Sequence, residues 1–489
     1  MRKTLAVVAL LFTACSTALA LLLSACSGPA APPADQPADL PADLPAKPSA
    51  AASAASPQAV ASASAARQEP WRITKEGGEH EIEGFADQVS VLPGQRFRLR
   101  VSTTAPRFTV HVFRMGANPA EVWESGKLPG VRQEPPKTVQ GMVTAAHWKP
   151  SLTVETTGWR EGAYLVRLDA STGGQRYVPI TVRSASTEGR VVLVNAVTTW
   201  QAYNSWGGRS LYTGPGGFDD RSRKVTFDRP YDTSGARLFL DFEKDAIELA
   251  ERSGVPLAYL TSLDLRPGVL DGARAVVSLG HDEYWSPAMR AAVTQARDRG
   301  VNLAFLGANA VYWRIGLYGR MVACDKETQC PLWRESNPES SLVGQMYDCF
   351  PAEAAYLVRR PEHWIFRGTH GRRFPGLAGV ETDRVGKGSP QHVSVLASSP
   401  VNCGGRSTVT DTTYYTAPSG AGVFASGTMR WVCGMRGKRC GHGVTDAAAA
   451  FTRRATRNIL TRFAKGPVRP PQRVSPCPRE SERSRGSCS

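Results

Sequence analysis

The sequence places one histidine and two acidic residues side by side at His281, Asp282 and Glu283, between Gly280 and the aromatic pair 284–285. His281 and Glu283 stand two positions apart. In a turn, an imidazole and a carboxylate at that spacing can bind one metal ion or exchange a proton. The alternative is that the carboxylates accept backbone hydrogen bonds at the start of a helix. Spacing alone leaves both interpretations open.

These residues lie where a predicted strand gives way to a predicted helix. The run over 273–279 is apolar and β-branched, which is typical of a short buried strand. Ser286 and Pro287 are helix-start residues, an N-cap hydroxyl followed by a proline at the first helical position. We therefore predict a helix over 288–297 that ends before Gly300.

The surrounding segments alternate between strands and helices. The further elements predicted are strands over 190–195, 257–262 and 301–306 and helices over 242–251 and 445–460. Short runs rich in Val, Leu and Ala that alternate with helices indicate a parallel sheet covered on both faces. Ligands bind at the carboxyl edge of such sheets. Asn309, which follows the strand over 301–306, is therefore expected at the same edge as His281.

The chain before this α/β domain has a different pattern. Residues 69–185 alternate apolar and polar side chains in several short segments separated by Gly- and Pro-containing turns. This pattern is typical of an antiparallel, immunoglobulin-like β-sandwich. The fold class predicted is therefore α/β with an N-terminal all-β module, the α/β domain covering residues 186–466.

The N-terminus predicts export. Residues 1–26 combine a basic start, an apolar run and the sequence Leu-Ser-Ala-Cys, which resembles a bacterial lipobox with Cys26 as the lipidated residue. An Ala-, Pro- and Ser-rich linker over 27–68 and an Arg-, Pro- and Ser-rich tail over 467–489 complete the chain. We expect tethering to a bacterial membrane through Cys26. An ordinary signal peptide or an anchor helix is the alternative.

Charge and motifs exclude several functions. The net charge of +16 is mostly scattered over single arginines, and no nucleic-acid motif accompanies it, so nucleic-acid binding is not expected. The sequence contains no G-x-S-x-G, Walker A, G-x-G-x-x-G or H-E-x-x-H motif.

The cysteines indicate disulfides. Besides Cys15 and Cys26 the chain has eight cysteines, an even number that suits an oxidising compartment. Eight cysteines allow 105 pairings, so the connectivity is not readable. Three local pairs are candidates: Cys324–Cys330, Cys433–Cys440 and Cys477–Cys488.

Two motifs resemble the large subunit of N,N-dimethylformamidase. They are Thr199-Trp-Gln-Ala-Tyr-Asn-x-Trp-Gly-Gly-x-Ser-Leu-Tyr212 and Gly280-His-Asp-Glu-Tyr-Trp-Ser286. The resemblance covers roughly residues 75 to 465. It implies a three-layer, class I amidotransferase-like α/β domain. It also implies hydrolysis of an N-substituted formamide by one non-haem iron, held by two tyrosinates and a glutamate.

The resemblance also implies roles for individual residues. Glu283 and Tyr203 would bind the metal, and Tyr164 would be the second tyrosinate. His281 would move protons, and Asn309 would donate a hydrogen bond to the developing oxyanion. From the residues alone, a core position remains open for Tyr164, ring stacking for Tyr203 and turn capping for Asn309.

We therefore expect an exported, membrane-tethered mononuclear iron amidohydrolase that acts on an amide or related C–N bond of a small molecule. The enzyme it resembles is intracellular and has a small partner subunit, so the resemblance does not imply the substrate. A homo-oligomer is one alternative for the assembly. The alternative functions are a non-catalytic envelope binding lipoprotein that retains the fold and a zinc amidase that uses His281.

Overall fold

The computed structural model describes residues 69–328 and 330–469 of the 489-residue chain. Three predicted features lie outside these residues: the signal peptide over 1–26 with Cys26, the linker over 27–68 and the tail beyond 469. The described part is rich in strands, which form several sheets, and has few helices. None of the helices in this part is long and apolar enough to span a membrane.

Ten strands form the first part of the structure. They are β1 (Ile82–Ala86), β2 (Ser90–Val91), β3 (Arg96–Thr103), β4 (Arg107–Met115), β5 (Ala120–Pro129), β6 (Lys137–Val139), β7 (Met142–Thr144), β8 (Leu152–Glu155), β9 (Gly162–Ala170) and β10 (Gln175–Val182). One sheet has the order β1-β3-β8 and a second the order β2-β10-β9-β4-β5, while β6 and β7 pair separately. All pairs are antiparallel except β2 with β10.

Side chains from the two larger sheets share one hydrophobic core. β3 buries Phe97, Leu99 and Val101, and the second sheet contributes Val110 from β4 and Val166 from β9. The buried positions alternate with exposed arginines along β3, as expected for a sheet with one face toward solvent. The alternation predicted from the sequence thus corresponds to the observed strands.

The second part contains the remaining elements. They are β11 (Val191–Asn195), α1 (Val197–Tyr203), β12 (Lys224–Thr226), α2 (Arg237–Phe242), α3 (Lys244–Arg252), β13 (Leu257–Thr261), β14 (Ala275–Ser278), β15 (Tyr284–Trp285), α4 (Pro287–Asp298), β16 (Asn302–Phe305), β17 (Trp313–Arg314), β18 (Gly316–Tyr318), β19 (Met321–Ala323), α5 (Ser340–Val343), β20 (Met346–Leu357), β21 (Arg373–Arg384), β22 (Ser394–Cys403), β23 (Arg406–Thr416), β24 (Gly422–Ala425), α6 (Trp431–Gly434) and α7 (Asp446–Phe463).

A seven-stranded sheet organises this part, with the order β13-β11-β14-β16-β24-β23-β22. The first five strands are parallel, and β23 and β22 continue the sheet antiparallel. The prediction of a wholly parallel sheet is therefore corrected to a mixed one. Sequence patterns missed the antiparallel extension because the 12-residue hairpin pair β20–β21 and several loops separate it from the βα repeats.

Helix α4 begins where the sequence predicts. The Ser286 hydroxyl accepts a hydrogen bond from the Met289 amide at 3.3 Å, and Pro287 is the first helical residue. The helix ends at Asp298, just before Gly300, whose φ of 95° is one that glycine adopts without strain.

Hydrogen bonds fix the first ten strands to the seven-stranded sheet. The Tyr259 amide in β13 donates to the Ser184 hydroxyl at 2.9 Å, and the Ser184 amide donates to the Tyr259 carbonyl at 2.9 Å. In addition, the Thr181 hydroxyl donates to the Asn195 side-chain oxygen at 3.0 Å. The first part thus forms hydrogen bonds to both β11 and β13 of the seven-stranded sheet.

Three disulfides are formed among the described residues. Two of the candidate pairs are confirmed, Cys324–Cys330 and Cys433–Cys440. The third, Cys349–Cys403, joins β20 to β22 across 54 residues and was not predicted, because only the folded hairpins bring these strands together. The candidate pair Cys477–Cys488 lies outside the described residues.

Gly280 lets the chain pass close to a neighbouring backbone. A Cβ atom at this position would lie 2.3 Å from the Phe242 carbonyl oxygen and 2.8 Å from Phe242 Cβ. We predict that Gly280→Ala lowers the free energy of unfolding by about 1–3 kcal/mol, the usual cost of overpacking. Urea denaturation of the full chain measures this change.

Gly78→Ala is the matched control. A Cβ at Gly78 would meet only the Glu81 carboxylate, at 3.7 Å, so this substitution should leave the unfolding free energy unchanged. Equal stability of the two variants would contradict the close packing of Gly280.

Candidate functional site

The site forms at the carboxyl ends of three neighbouring parallel strands. β11 leads into α1, which ends at Tyr203, and β14 leads to His281 and Glu283. β16 is followed by Asn309, whose φ of 56° is uncommon for a residue other than glycine. The structure therefore brings the side chains that follow these strands to one edge of the sheet.

The Glu283 carboxylate is the centre of the cluster and is fully buried. Tyr203 donates to Glu283 Oε2 at 2.8 Å, and Tyr212 is 2.9 Å and 3.0 Å from the two carboxylate oxygens. His281 Nε2 lies 3.1 Å from the Tyr203 hydroxyl and 3.4 Å from Glu283 Oε2. Two phenols and an imidazole thus converge on one carboxylate.

The phenol rings pack tightly around this carboxylate. Tyr203 and Tyr212 stack with their centroids 4.4 Å apart, and Tyr284 stands at right angles to both. The Tyr284 hydroxyl donates to the Tyr212 hydroxyl at 2.6 Å. The Tyr212 oxygen is therefore held between Glu283 and Tyr284.

Backbone contacts determine the direction of the Glu283 side chain. The Thr199 hydroxyl in α1 accepts the Glu283 amide at 3.0 Å, and the Glu283 carbonyl accepts the Tyr312 and Trp313 amides. Asp282 points elsewhere, because it accepts hydrogen bonds from Ser278 at 2.9 Å and from Trp285 Nε1 at 2.8 Å. Asp282 therefore stabilises the turn, and Glu283 faces the tyrosines.

A second acidic pair approaches from β21. Glu381 and Asp383 are both buried, and the Asn309 backbone amide donates to Asp383 at 2.8 Å. The Asn309 side chain acts to lower the pKa of Glu381. Three atoms of the site, Glu381 Oε2, Asn309 Oδ1 and His281 Nδ1, are buried without a hydrogen-bond partner among the described residues.

The buried charges shift one another's pKa values. Burial acts to raise the pKa of Glu283, but the hydrogen bond and charge of His281, the charge of Lys326 and the Tyr203 hydrogen bond together lower it. Burial acts to lower the pKa of His281, but Glu381, Glu283 and Asp282 together raise it. Both shifts favour the charged forms, a carboxylate beside an imidazolium. Burial and the Glu283 charge raise the pKa of Glu381 to about 7.

Burial and the Glu283 charge also raise the pKa values of the phenols Tyr203, Tyr212 and Tyr284 well above the usual range. As described, the phenols are protonated and act as hydrogen-bond donors. Only a strong positive charge at their oxygens would make them ionise.

The donor set fits a hard metal ion. Two phenol oxygens each lie within 3.0 Å of the Glu283 carboxylate, and oxygen donors of this kind suit ferric iron. A different group of possible ligands, His111, Glu121 and Glu124, lies on β4 and β5. There the His111 ring is 2.7 Å from Glu121, and both acids are exposed, which is the geometry of a surface ion pair.

The structure does not bring Tyr164, the expected second tyrosinate, into the hydrogen bonds of the Glu283 cluster. This residue lies in β9 and is buried in the core of the first part, where its ring stacks on Trp159 with the centroids 5.1 Å apart. Its hydroxyl donates to the Arg160 carbonyl. The sequence motif around Tyr164 is that of an alternating strand, and the strand directs this side chain into the core.

Four residues of the site were not among the predicted ones: Tyr212, Tyr284, Glu381 and Lys326. Tyr212 and Tyr284 stand inside the two aromatic motifs, so the motifs themselves contained a signal. Glu381 comes from a distant hairpin strand, and Lys326 from the loop closed by Cys324–Cys330, so neither has a local signal. Lys326 is buried at its amine, and burial lowers its pKa to about 7.

Comparison with known families agrees with the motifs. A family model described as N,N-dimethylformamidase beta subunit-like, C-terminal, matches residues 109–445, more than half of the chain. The chain belongs to this family. The predicted resemblance is confirmed, and the matched range of this dimethylformamidase-like protein includes every residue of the Glu283 cluster.

Solved structures resemble the chain only distantly. A putative thua-like protein from Bacteroides uniformis is 12% identical over 57% of this chain and 93% of that chain, with a TM-score of 0.30. A cycloisomaltooligosaccharide glucanotransferase from Paenibacillus sp. is 15% identical over 25% of this chain and 16% of that chain, with a TM-score of 0.16. Neither likeness carries an argument. A search of curated proteins gives no match.

The buried acids predict that the stability of the metal-free protein depends on pH. Burial raises the pKa of Asp383 to about 8, that of Glu381 to about 7 and that of Asp282 to about 6. Since the folded state holds these protons more tightly than the unfolded state, stability is lost as pH rises from about 4 toward 8. The lowered pKa of Glu283 affects stability only below about pH 4.5, where stability is lost as the pH falls.

We predict that the free energy of unfolding falls by about 2 kcal/mol or more between pH 5.5 and 8.5. Asp383→Asn keeps an acceptor for the Asn309 amide and removes one titrating group, so it should flatten this slope. The exposed control Asp219→Asn should leave it unchanged. Chemical denaturation at several pH values measures the slope, and a stability that rises over this range would contradict the prediction.

Proposed function

We propose that this dimethylformamidase-like protein is a mononuclear iron amidohydrolase that hydrolyses an amide or related C–N bond of a small molecule. The observation that carries the proposal is the convergence of the Tyr203 and Tyr212 hydroxyls on the buried Glu283 carboxylate. These three residues would hold the metal.

When bound, the metal would supply a Lewis acid that polarises the amide carbonyl and acidifies a bound water. The protein would supply the oxygen donors of Tyr203, Tyr212 and Glu283 and would keep them buried away from bulk water. The phenols lose their protons only toward such a cation, because burial and the Glu283 charge otherwise keep them protonated.

Proton transfer falls to two neighbouring groups. Glu381, whose pKa is raised to about 7, can accept a proton at neutral pH, as a general base requires. The imidazolium of His281 holds a proton at Nε2, beside the Tyr203 oxygen and Glu283, for transfer to the leaving nitrogen. The Asn309 amide group would donate to the developing oxyanion.

The space beside the cluster suits a small substrate group. A cavity of about 20 Å³ adjoins Tyr203 and is lined by Trp200, Phe239 and Pro179. A space of this size holds about one water or a methyl group. Tyr231, Asp232 and Arg237 also line it, so polar and apolar side chains both face this space.

We also propose that the protein is exported and tethered through a lipid on Cys26. The predicted signal and lipobox and the disulfides support this compartment. For the fold, we propose that the two sheets around the shared core form an immunoglobulin-like sandwich. The seven-stranded sheet with its helices would be a class I amidotransferase-like domain.

The metal content and visible spectrum of the full chain test the proposed function. We expect about one iron per chain and a visible tyrosinate charge-transfer band. Tyr203→Phe and Tyr212→Phe each remove one phenolate and should weaken and shift this band. Glu283→Ala should lose the iron, and amide hydrolysis should be lost with it.

Tyr164→Phe is the matched control, because Tyr164 packs in the core shared by the two larger sheets of the first part and its hydroxyl donates to the Arg160 carbonyl. It should keep the iron, the band and the activity. A folded protein that stays colourless and metal-free after reconstitution with iron would overturn the proposal in favour of a binding protein. Zinc in place of iron, with a colourless active protein, would overturn the iron assignment.

A further inference from the structure

A buried lysine lies directly behind the candidate metal ligand Tyr212. The Lys326 Nζ atom is 3.2 Å from the centroid of the Tyr212 ring, 4.9 Å from that of Trp313 and 5.8 Å from that of Tyr284. It has no hydrogen-bond partner among the described residues. In its protonated form, an amine over these ring faces makes a cation–π arrangement.

The lysine and Tyr203 lie on opposite faces of the Tyr212 ring. Tyr203 stacks on Tyr212 at 4.4 Å with an angle of 25° between the planes, which leaves no room for an amine between them. At 3.2 Å from the centroid, Lys326 Nζ must therefore cover the other face. Lys326 thus backs the cluster and does not block the side on which Tyr203 and Glu283 meet.

The loop that carries Lys326 is fixed at several points. The Cys324–Cys330 disulfide closes it, and the two acids flanking the lysine are engaged by arginines. Asp325 pairs with Arg223 at 3.2 Å, and Glu327 pairs with Arg221 at 3.0 Å. Because its neighbours hold other partners, Lys326 has only the aromatic faces and the charge of Glu283 to offset its own.

We propose that Lys326 is a positioning residue that tunes the electron donation of Tyr212, and that the Cys324–Cys330 disulfide holds it in place. This inference rests on the proposed function. A positive charge behind the ring stabilises electrons on a Tyr212 phenolate and makes that oxygen a weaker donor. A bound metal would remain a stronger Lewis acid toward a carbonyl.

The buried Lys326 amine lowers the stability of the protein. A residue kept for a structural role would be expected to raise stability, so the sign of this effect separates a functional role from a structural one. An ammonium buried without a hydrogen-bond acceptor is unfavourable, and the cation–π contact offsets only part of this. Lys326→Met keeps the length of the side chain and removes the charge. We therefore expect the metal-free variant to melt about 2–6 °C higher than wild type.

The visible band of the iron-loaded full chain, recorded below pH 7 so that the Lys326 amine is protonated, is the decisive test. The Lys326 charge lies closer to the Tyr212 ring than to a metal held by the Tyr212 oxygen. It therefore stabilises electrons on the phenolate more than electrons on the metal, and it raises the energy of charge transfer from phenolate to metal. Removing it should move the band to longer wavelength by about 10 nm or more, for a unit charge at an effective dielectric constant near 20. The exposed control Lys438→Met should leave both the band and the melting temperature unchanged.

The double variant Cys324→Ser/Cys330→Ser tests the disulfide. It keeps the lysine but frees the loop, so we expect the same direction of band shift. Lys326 should also become reactive toward an amine-labelling reagent, as measured by peptide mass spectrometry, whereas it is protected in wild type. This labelling needs no metal and remains informative if Lys326→Met fails to fold.

The outcomes separate the two proposals. A wild-type protein without iron or colour would overturn the proposed function and this role with it. A coloured wild type whose band stays in place in Lys326→Met would overturn the role of Lys326 alone. A lower melting temperature in Lys326→Met, or a Lys326 that is labelled equally with and without the disulfide, would likewise overturn it.

Discussion

The structure of the site depends on one buried negative charge, the carboxylate of Glu283. An ionised carboxylate in the interior costs several kcal/mol unless hydrogen bonds and opposite charges surround it. Here Tyr203 and Tyr212 donate to it, and His281 Nε2, whose pKa is raised by the surrounding acids, lies 3.4 Å from it. The proposed cation would add a further opposite charge to this carboxylate and the phenols around it.

The fold supplies these groups through the ends of parallel strands. β11, β14 and β16 lie next to one another, so the segments that follow them meet at one edge of the sheet. The close approach of Gly280 to Phe242 and the cap at Ser286 hold the 281–285 turn between strand and helix. The aromatic loop after α1 then brings Tyr212 over this edge. The sheet edge thus determines where the aromatic segment after α1 places its side chains.

Part of this site was predictable from the sequence. The strand before His281, the helix after Ser286 and the aromatic motifs are local patterns, and they locate Glu283, His281 and Tyr203. The motif around Tyr164 does not reveal that β9 turns this side chain into the core of the first part. Glu381 arrives from a hairpin about 100 residues later in the chain, and the Cys349–Cys403 disulfide depends on the same hairpin region. Such contacts arise from tertiary structure and leave no local pattern.

Anomalous diffraction at the iron edge from crystals of the iron-loaded protein tests the central claim most directly. The account predicts one strong peak within bonding distance of the Tyr203 and Tyr212 oxygens and the Glu283 carboxylate, and none beside Tyr164. A peak at the exposed group of His111, Glu121 and Glu124, or no peak in a fully folded protein exposed to iron, would contradict it.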